Sequence, residues 1–141
     1  MELKAKKLLV IGLARTGREC ARFLAQQGAK VWISDRRGQD DLRGEMAALS
    51  DLSLTYRLGG EEKNWLDGMD YVVPSPGVPM DNLLLREALA RKIPVLSEIE
   101  LAYRYFAAPL VAITGTNGKS TTTTLIGKML QADGKKVFLG G

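Results

Sequence analysis

Lys7-Leu8-Leu9-Val10-Ile11-Gly12-Leu13-Ala14-Arg15-Thr16-Gly17 is the stretch on which the fold turns. Five residues, Lys7 to Ile11, form a short apolar run of the kind found in a parallel strand buried on both faces. Gly12 to Gly17 is a glycine-bounded turn. From about Thr16 to Gln27, Gly17, Cys20, Ala21, Leu24 and Ala25 recur at helical spacing, and Gly28 is placed to end that helix. Lys30 to Ser34 then reads as a second strand, closed by Asp35. Strand, glycine turn, helix, strand is the opening of a doubly wound α/β layer.

The rest of the chain continues the alternation. A weaker helix is expected over 40–49, a strand over 52–56 and one or two helical turns over 61–66. A further strand over 71–73 runs into Pro74-Ser75-Pro76-Gly77, which must be a loop. A helix follows over 82–92, a strand over 94–96 and a helix over 98–106. Ala107-Ala108-Pro109 then punctuates the chain. Beyond it come an apolar strand over 110–113, a glycine loop over 115–119, a helix over 120–132 closed by Gly134, and the start of a strand over 137–139. Strand, glycine loop and helix thus occur twice, at 7–27 and 109–133. The second unit has too few elements to close a core, so the 141 residues read as one domain and the beginning of another.

Composition removes whole function classes. With 45% hydrophobic and 26% charged residues the chain is an ordinary globular one. No run approaches the roughly 20 apolar residues of a membrane helix, and the N-terminal apolar run is too short for a signal peptide. One cysteine, Cys20, excludes an internal disulfide framework and suits a reducing cytosol. There is no histidine, so Ser–His–Asp hydrolysis and histidine-based zinc sites are absent from these residues. The net charge of +4 is spread evenly, +2 before Glu98 and +2 from it onward. Without a basic stripe, and with only 6% aromatics, no nucleic-acid partner is expected.

Three motifs carry chemistry. Gly115-Thr116-Asn117-Gly118-Lys119-Ser120-Thr121 lies between an apolar strand and a helix, where a phosphate loop belongs. Its glycines let backbone N–H groups face an anion, Lys119 adds a point charge for β- and γ-phosphates, and Ser120 offers a hydroxyl to Mg²⁺. The long pattern G-x-x-x-x-G-K-[ST] fails at Ile113; the shorter G-x-x-G-K-[ST] stands. A turn followed by Ser/Thr capping explains Gly115, Asn117 and Ser120, but not Lys119 between Gly118 and Ser120. The second motif, Gly12 to Gly17, is a dinucleotide fingerprint with Ala14 in place of its middle glycine, and Asp35 stands near the expected ribose-binding position with Arg36 and Arg37 behind it. It fits a nucleotide and, equally, an unliganded strand–helix turn. The third, Ser75-Pro76-Gly77-Val78-Pro79, is expected at the carboxyl edge of the sheet beside the first glycine turn, as a ligand loop or a rigid connector. Trp32 and Trp65 read as packing residues, Cys20 as a small hydrophobe, and Glu98 and Glu100 as helix-start charges.

In combination, Gly12 to Gly17, Asp35-Arg36-Arg37, Ser75 to Pro79, Ser97 to Leu101 and Val111 to Thr121 resemble the Mur ligase family over the whole chain. Val111 to Thr121 is the most specific segment, shared by Mur and folylpolyglutamate-type ligases. The resemblance implies a Rossmann-like UDP-substrate-binding domain over 1–97 and, over 98–141, the start of a P-loop ATPase α/β domain, within a three-domain enzyme. It implies that Arg15, Thr16, Asp35, Arg36, Arg37 and Gly77 contact the UDP part of the substrate, with Ala14 and Arg15 departing from the family's usual glycine and apolar residue. It implies that Gly115 to Thr121 hold ATP, with Lys119 as the catalytic cation and Ser120 on Mg²⁺.

The implied reaction is ATP-dependent addition of D-glutamate to UDP-N-acetylmuramoyl-L-alanine, through an acyl phosphate, in cytoplasmic peptidoglycan precursor synthesis. The 141 residues alone are expected to be inactive. Two alternatives remain at this point. One is a sister amide ligase of the Mur or folylpolyglutamate type. The other is an NAD(P)-binding regulatory domain, which accounts for Gly12, Gly17 and Asp35 but leaves Lys119 unexplained. A bare P-loop NTPase would leave residues 1–97 without a role.

Overall fold

The computed structural model describes residues 2–105 and 108–140. Phe106 (the expected last residue of the 98–106 helix), Ala107 of the punctuating segment and Gly141 lie outside the described residues. The chain divides into two compact units, Met1–Phe106 and Ala107–Gly141.

In the first unit, β1 (Lys7–Ile11), α1 (Arg15–Gln26), β2 (Lys30–Asp35), α2 (Arg43–Ala47), β3 (Leu54–Leu58), β4 (Tyr71–Pro74), α3 (Leu83–Ala90) and α4 (Glu98–Tyr105) follow in order. The four strands form one parallel sheet in the order β3-β2-β1-β4. β1 sits at its centre, and both of its faces are covered. Leu8 and Val10 join Val31, Ile33, Ala21 and Leu24 in one cluster, while Leu9 and Ile11 join Leu66, Val72, Leu84 and Ala88 in the other. That double burial is why Leu8 to Ile11 is uninterrupted by polar residues. α1 presents Gly17, Ala21 and Leu24 to the sheet and Arg18, Glu19 and Arg22 toward water. Gly28, at φ +78°, supplies the left-handed residue that lets the chain turn back into β2. Trp32 and Trp65 are half-buried packing residues, as expected. Cys20 is half-buried, and burial, with Glu98 and Glu19 nearby, pushes its thiol up to about 11, so it is inert as a nucleophile at neutral pH.

Several elements differ from expectation; Pro74, expected in the loop, closes β4 in register with Ile11, where a missing N–H is tolerated at the strand end. β3 begins two residues later than the strand expected over 52–56. Leu52 donates its N–H to the Leu49 carbonyl at 3.0 Å and so belongs to the preceding turn, and the alternation is carried on to Leu58. Residues 94–96 make only a single bridge, Val72 to Val95, beside β4. Pro94 has no N–H to extend the ladder, and Ser97 already caps α4 by accepting from the Glu100 N–H at 3.1 Å. The helix expected over 82–92 runs from Leu83 to Ala90, because the buried Asn82 stands outside it as its cap, accepting from the Leu85 N–H at 3.0 Å.

The second unit consists, among the described residues, of one helix, α5 (Lys119–Ala132), with chain of no regular secondary structure on either side. The strands expected over 110–113 and 137–139 are not formed. A strand must have its N–H and C=O groups met by a neighbour, and among the described residues of this unit none runs alongside. Leu110, Val111 and Phe138, residues suited to a sheet interior, stay largely exposed.

Candidate functional site

The register places three chain crossings at one level. Ile11 pairs with Ser34 on one side and with Pro74 on the other, so Gly12, Asp35 and Ser75 emerge together at the carboxyl edge of the sheet. Gly12 adopts φ +89°, which only glycine accepts without strain. Its N–H donates to the Ser34 carbonyl at 2.7 Å, and its carbonyl accepts from Ser75 Oγ at 2.8 Å. Gly17 closes the turn from the other side: a Cβ there would lie 1.9 Å from the Gly12 carbonyl oxygen and 2.5 Å from Ser75 Oγ. The two glycines of the fingerprint are therefore required by packing, whatever the ligand. Ala14, at the position of the missing glycine, has φ −88° and is exposed, so alanine is unstrained there. As the N-cap of α1 it offers no side-chain acceptor, which leaves the first-turn N–H groups open.

Asp35 is an organising residue. Its carboxylate accepts from the Leu13 N–H at 2.8 Å and from the Arg37 N–H at 2.9 Å, and it pairs with the Arg37 guanidinium at 2.9 Å and 3.1 Å. Burial opposes its ionisation, yet the bonds from Arg37 and Leu13 outweigh that and hold its carboxyl below the ordinary carboxylate value. Arg37 also reaches the Leu13 carbonyl at 3.3 Å, so this pair fastens the β2 end to the glycine turn. Arg36 points the other way and pairs with Glu61 through two 3.0 Å contacts. The Glu61 side chain is only 11% exposed and also accepts from Asn82 Nδ2, which ties the segment after β3 to the cap of α3.

Between these parts lies a cleft of about 170 Å³. Ile11, Gly12, Val78 and Pro79 give it an apolar wall, and Ser34, Asp35, Arg36, Glu61 and Asn82 give it polar groups, with Gly77 at the loop. Of the residues expected at the UDP site, Asp35, Arg36 and Gly77 are brought together here. Arg15 and Thr16 stand on the first turn of α1, Arg15 exposed, and Arg37 is turned back onto Asp35. Ser34, Glu61 and Asn82 were not expected. A serine at the end of an otherwise apolar strand, and an asparagine just before Leu83-Leu84-Leu85, are the signals that mark two of them; Glu61 carries none.

In the second unit the loop before α5 has Gly115 at φ +152° and Gly118 at φ +75°, the latter as N-cap. Lys119 Nζ folds over the loop, 2.5 Å from the Gly115 carbonyl and 3.4 Å from that of Thr116. Ser120 and Thr121 are exposed on the first turn, and Thr124 and Thr123 bond back to the carbonyls of Ser120 and Lys119. A glycine-shaped loop, an ammonium group above it and open first-turn N–H groups fit a phosphate. Among the described residues no three His, Cys, Asp or Glu side chains converge as metal ligands; the oxygen this loop would offer a Mg²⁺ ion is Ser120 Oγ. A hollow of about 460 Å³ runs past Ser120, Thr121, Thr124, Leu125 and Lys128, all on one helix, and encloses nothing.

A parallel sheet with a glycine turn and a cleft at its carboxyl edge defines a Rossmann-like domain. Residues 6–97 match the family described as Mur ligase MurD-like, N-terminal domain. The chain belongs to that family. It is 54% identical over all 141 residues to the UDP-N-acetylmuramoylalanine–D-glutamate ligase of Geotalea uraniireducens, and covers 31% of that protein. It spans about a third of the length of the curated relatives it matches. Among solved structures it is similar to the UDP-N-acetylmuramate-alanine ligase MurC of Thermotoga maritima, with TM-score 0.58 and 25% identity over 96% of this chain and 32% of that one. The fold is shared with a UDP-N-acetylmuramate:L-alanyl-γ-D-glutamyl-meso-diaminopimelate ligase from Neisseria, with TM-score 0.63 and 19% identity over 92% of this chain and 40% of that one.

Proposed function

We propose that this chain carries the UDP-substrate-binding domain, residues 1–97, and the beginning of the ATP-binding domain, residues 98–141, of a ligase that adds D-glutamate to UDP-N-acetylmuramoyl-L-alanine with hydrolysis of ATP. The carrying observation is the cleft at the carboxyl edge: Gly12, Asp35, Arg36 and Gly77 meet there, beside the uncapped N-terminus of α1. The relatives' names supply the chemistry, and 54% identity over the full 141 residues favours this ligase over its sisters.

The chain's own residues divide the work. The cleft holds the nucleoside end, and the open first turn of α1, with Arg15 and Thr16, faces the diphosphate. Arg36 offers the remaining N–H groups of a guanidinium already oriented by Glu61. Gly115 to Thr121 cradle the ATP phosphates, Lys119 turns from the loop carbonyls to offset charge on the transferring phosphoryl group, and Ser120 holds Mg²⁺. When bound, Mg²⁺ neutralises phosphate charge. Among the described residues no helix is long and apolar enough to cross a membrane; a cytoplasmic site of action is part of the proposal and rests on the nucleotide-linked substrate.

An NAD(P)-binding role would put a pyrophosphate against the same turn. Calorimetry separates the two. The 141-residue chain is expected to bind UDP-N-acetylmuramoyl-L-alanine and UDP, not NADH, and to show no ligation. Tight NADH binding with no response to the UDP-sugar would overturn the reading.

A further inference from the structure

Among the described residues one buried side-chain polar atom has no hydrogen-bond partner: Ser34 Oγ. Ser34 is 1% exposed and lines the cleft. Its backbone is fully used, the carbonyl accepting from Gly12 and the strand pairing with Ile11, so the residue is fixed while its hydroxyl is idle. A buried hydroxyl without a partner destabilises a folded chain, and alanine would fill the same place in β2 without that cost. Ser34 alternates with Ile33 and so lies on the sheet face of Trp32 and Ile11, toward Val78 and Asn82 rather than toward α1.

The buried carboxylate and amide groups of the cleft already have partners, and Arg36, whose side chain is 60% exposed, is paired with Glu61. Asp35 is occupied by Leu13 and Arg37, Glu61 by Arg36 and Asn82, and Asn82 by Glu61 and the Leu85 N–H. Among the described residues the Ser34 hydroxyl is therefore the one buried side-chain polar atom without a partner, in a cleft walled by Ile11, Val78 and Pro79. With no bond to break, it turns among its staggered positions at little cost. About 170 Å³ is less than the roughly 300 Å³ at which pockets for whole drug-sized ligands begin, so the cleft takes one ring rather than an entire nucleotide. The apolar side chains of Ile11, Val78 and Pro79, with an unpartnered donor–acceptor among them, fit the polar edge of an otherwise apolar ring better than a hydroxyl-rich sugar.

We infer that Ser34 is a specificity-determining residue whose hydroxyl hydrogen-bonds the edge of the nucleobase in this cleft. The inference rests on the UDP-substrate reading above and adds a contact to it. A hydroxyl serving a ligand and a hydroxyl serving the fold respond oppositely to removal.

The test is Ser34→Ala in the 141-residue chain, with affinity for UDP and for 2′-deoxy-UDP measured by calorimetry and the melting temperature of the ligand-free chain measured alongside. The expected result is a roughly tenfold weaker Kd for both nucleotides, with a melting temperature equal to or above that of the parent. An affinity within twofold of the parent for UDP overturns the inference, as does a loss seen with UDP but not with 2′-deoxy-UDP, which would assign the hydroxyl to the ribose. If the unmutated chain itself binds neither nucleotide, the UDP reading fails, and this inference with it.

Discussion

Gly17→Ala is expected to unseat α1 from the sheet and to abolish nucleotide binding. The added methyl carbon would lie 1.9 Å from the Gly12 carbonyl oxygen, and that atom cannot retreat. The Gly12 carbonyl is held by Ser75 Oγ at 2.8 Å, its N–H by Ser34 at 2.7 Å, and its φ of +89° leaves the turn no unstrained alternative. Relief must come from moving α1 outward, which opens the contacts of Ala21 and Leu24 with the core. Overpacking usually costs about 1–3 kcal/mol, and a clash against fixed backbone belongs at or beyond the upper end. At 4–8 °C per kcal/mol for a domain of about 100 residues, the melting temperature should fall by roughly 12 °C or more. Ala14→Gly is the matching control. Ala14 is exposed with an ordinary φ, so restoring the fingerprint's middle glycine should change the melting temperature little. A Gly17→Ala chain that melts with the parent and binds UDP normally would show that the turn is not packed as described.

Asp35→Asn should weaken both the fold and the site, in a pH-dependent way. The substitution keeps the shape but removes the charge and half of the accepting capacity that Leu13 and Arg37 use. Hydrogen bonds to a charged group contribute about 1.5–3 kcal/mol; with Arg37 itself 45% exposed, a loss of roughly 2 kcal/mol is expected near pH 7. The carboxyl of Asp35 is held below its ordinary value in the folded chain. A lowered carboxylate stabilises the fold above its unfolded-state value, and this contribution is lost as the pH falls through the folded-state value. The gap between the parent and Asp35→Asn in urea midpoint should therefore be wide at pH 7 and shrink as the pH drops below the ordinary carboxylate range. Asp51, Asp70 and Glu87 are also held low, by Arg22, by the Lys7 N–H with Lys6, and by Lys63 with Arg91, so the parent alone will lose stability in acid; only the difference isolates Asp35. A gap independent of pH would contradict this account of Asp35.

The sheet was legible wherever a residue pattern had one solution. Lys7 to Ile11 could only be buried, Gly12 to Gly17 could only turn, and Gly28 marked the return, so β1, α1 and β2 lie where the pattern puts them. β3 was less determined, since Leu52, Leu54, Tyr56 and Leu58 all keep the same alternation and a turn hydrogen bond chooses where the strand begins. In the second unit the apolar runs around 110–113 and 137–139 describe side chains suited to a sheet, but a strand also needs a neighbour, and none lies beside them among the described residues. The candidate site divides in the same way. Asp35, Arg36 and Gly77 were readable as candidates because each stands at or just after the end of a strand. Glu61 was not, because it reaches Arg36 only through the strand order that sets β3 beside β2, and no local spacing contains that order. For Ser34 the sequence signal, a serine closing an apolar strand, does not say what the hydroxyl serves; that question arises only when the hydroxyl is found with no partner.

On the proposed reading, the cleft at the carboxyl edge and the first turn of α1 together receive the uridine diphosphate, and the loop at Lys119 does not. The most direct measurement is a titration of UDP into the ¹⁵N-labelled 141-residue chain, followed amide by amide. Shifts should concentrate on Gly12, Leu13, Arg15 to Gly17, Ser34 to Arg37, Glu61, Gly77 and Val78, while Gly115 to Thr121 stay still. Shifts confined to Gly115–Thr121, or no shifts at any of the cleft residues at saturating UDP, would contradict it.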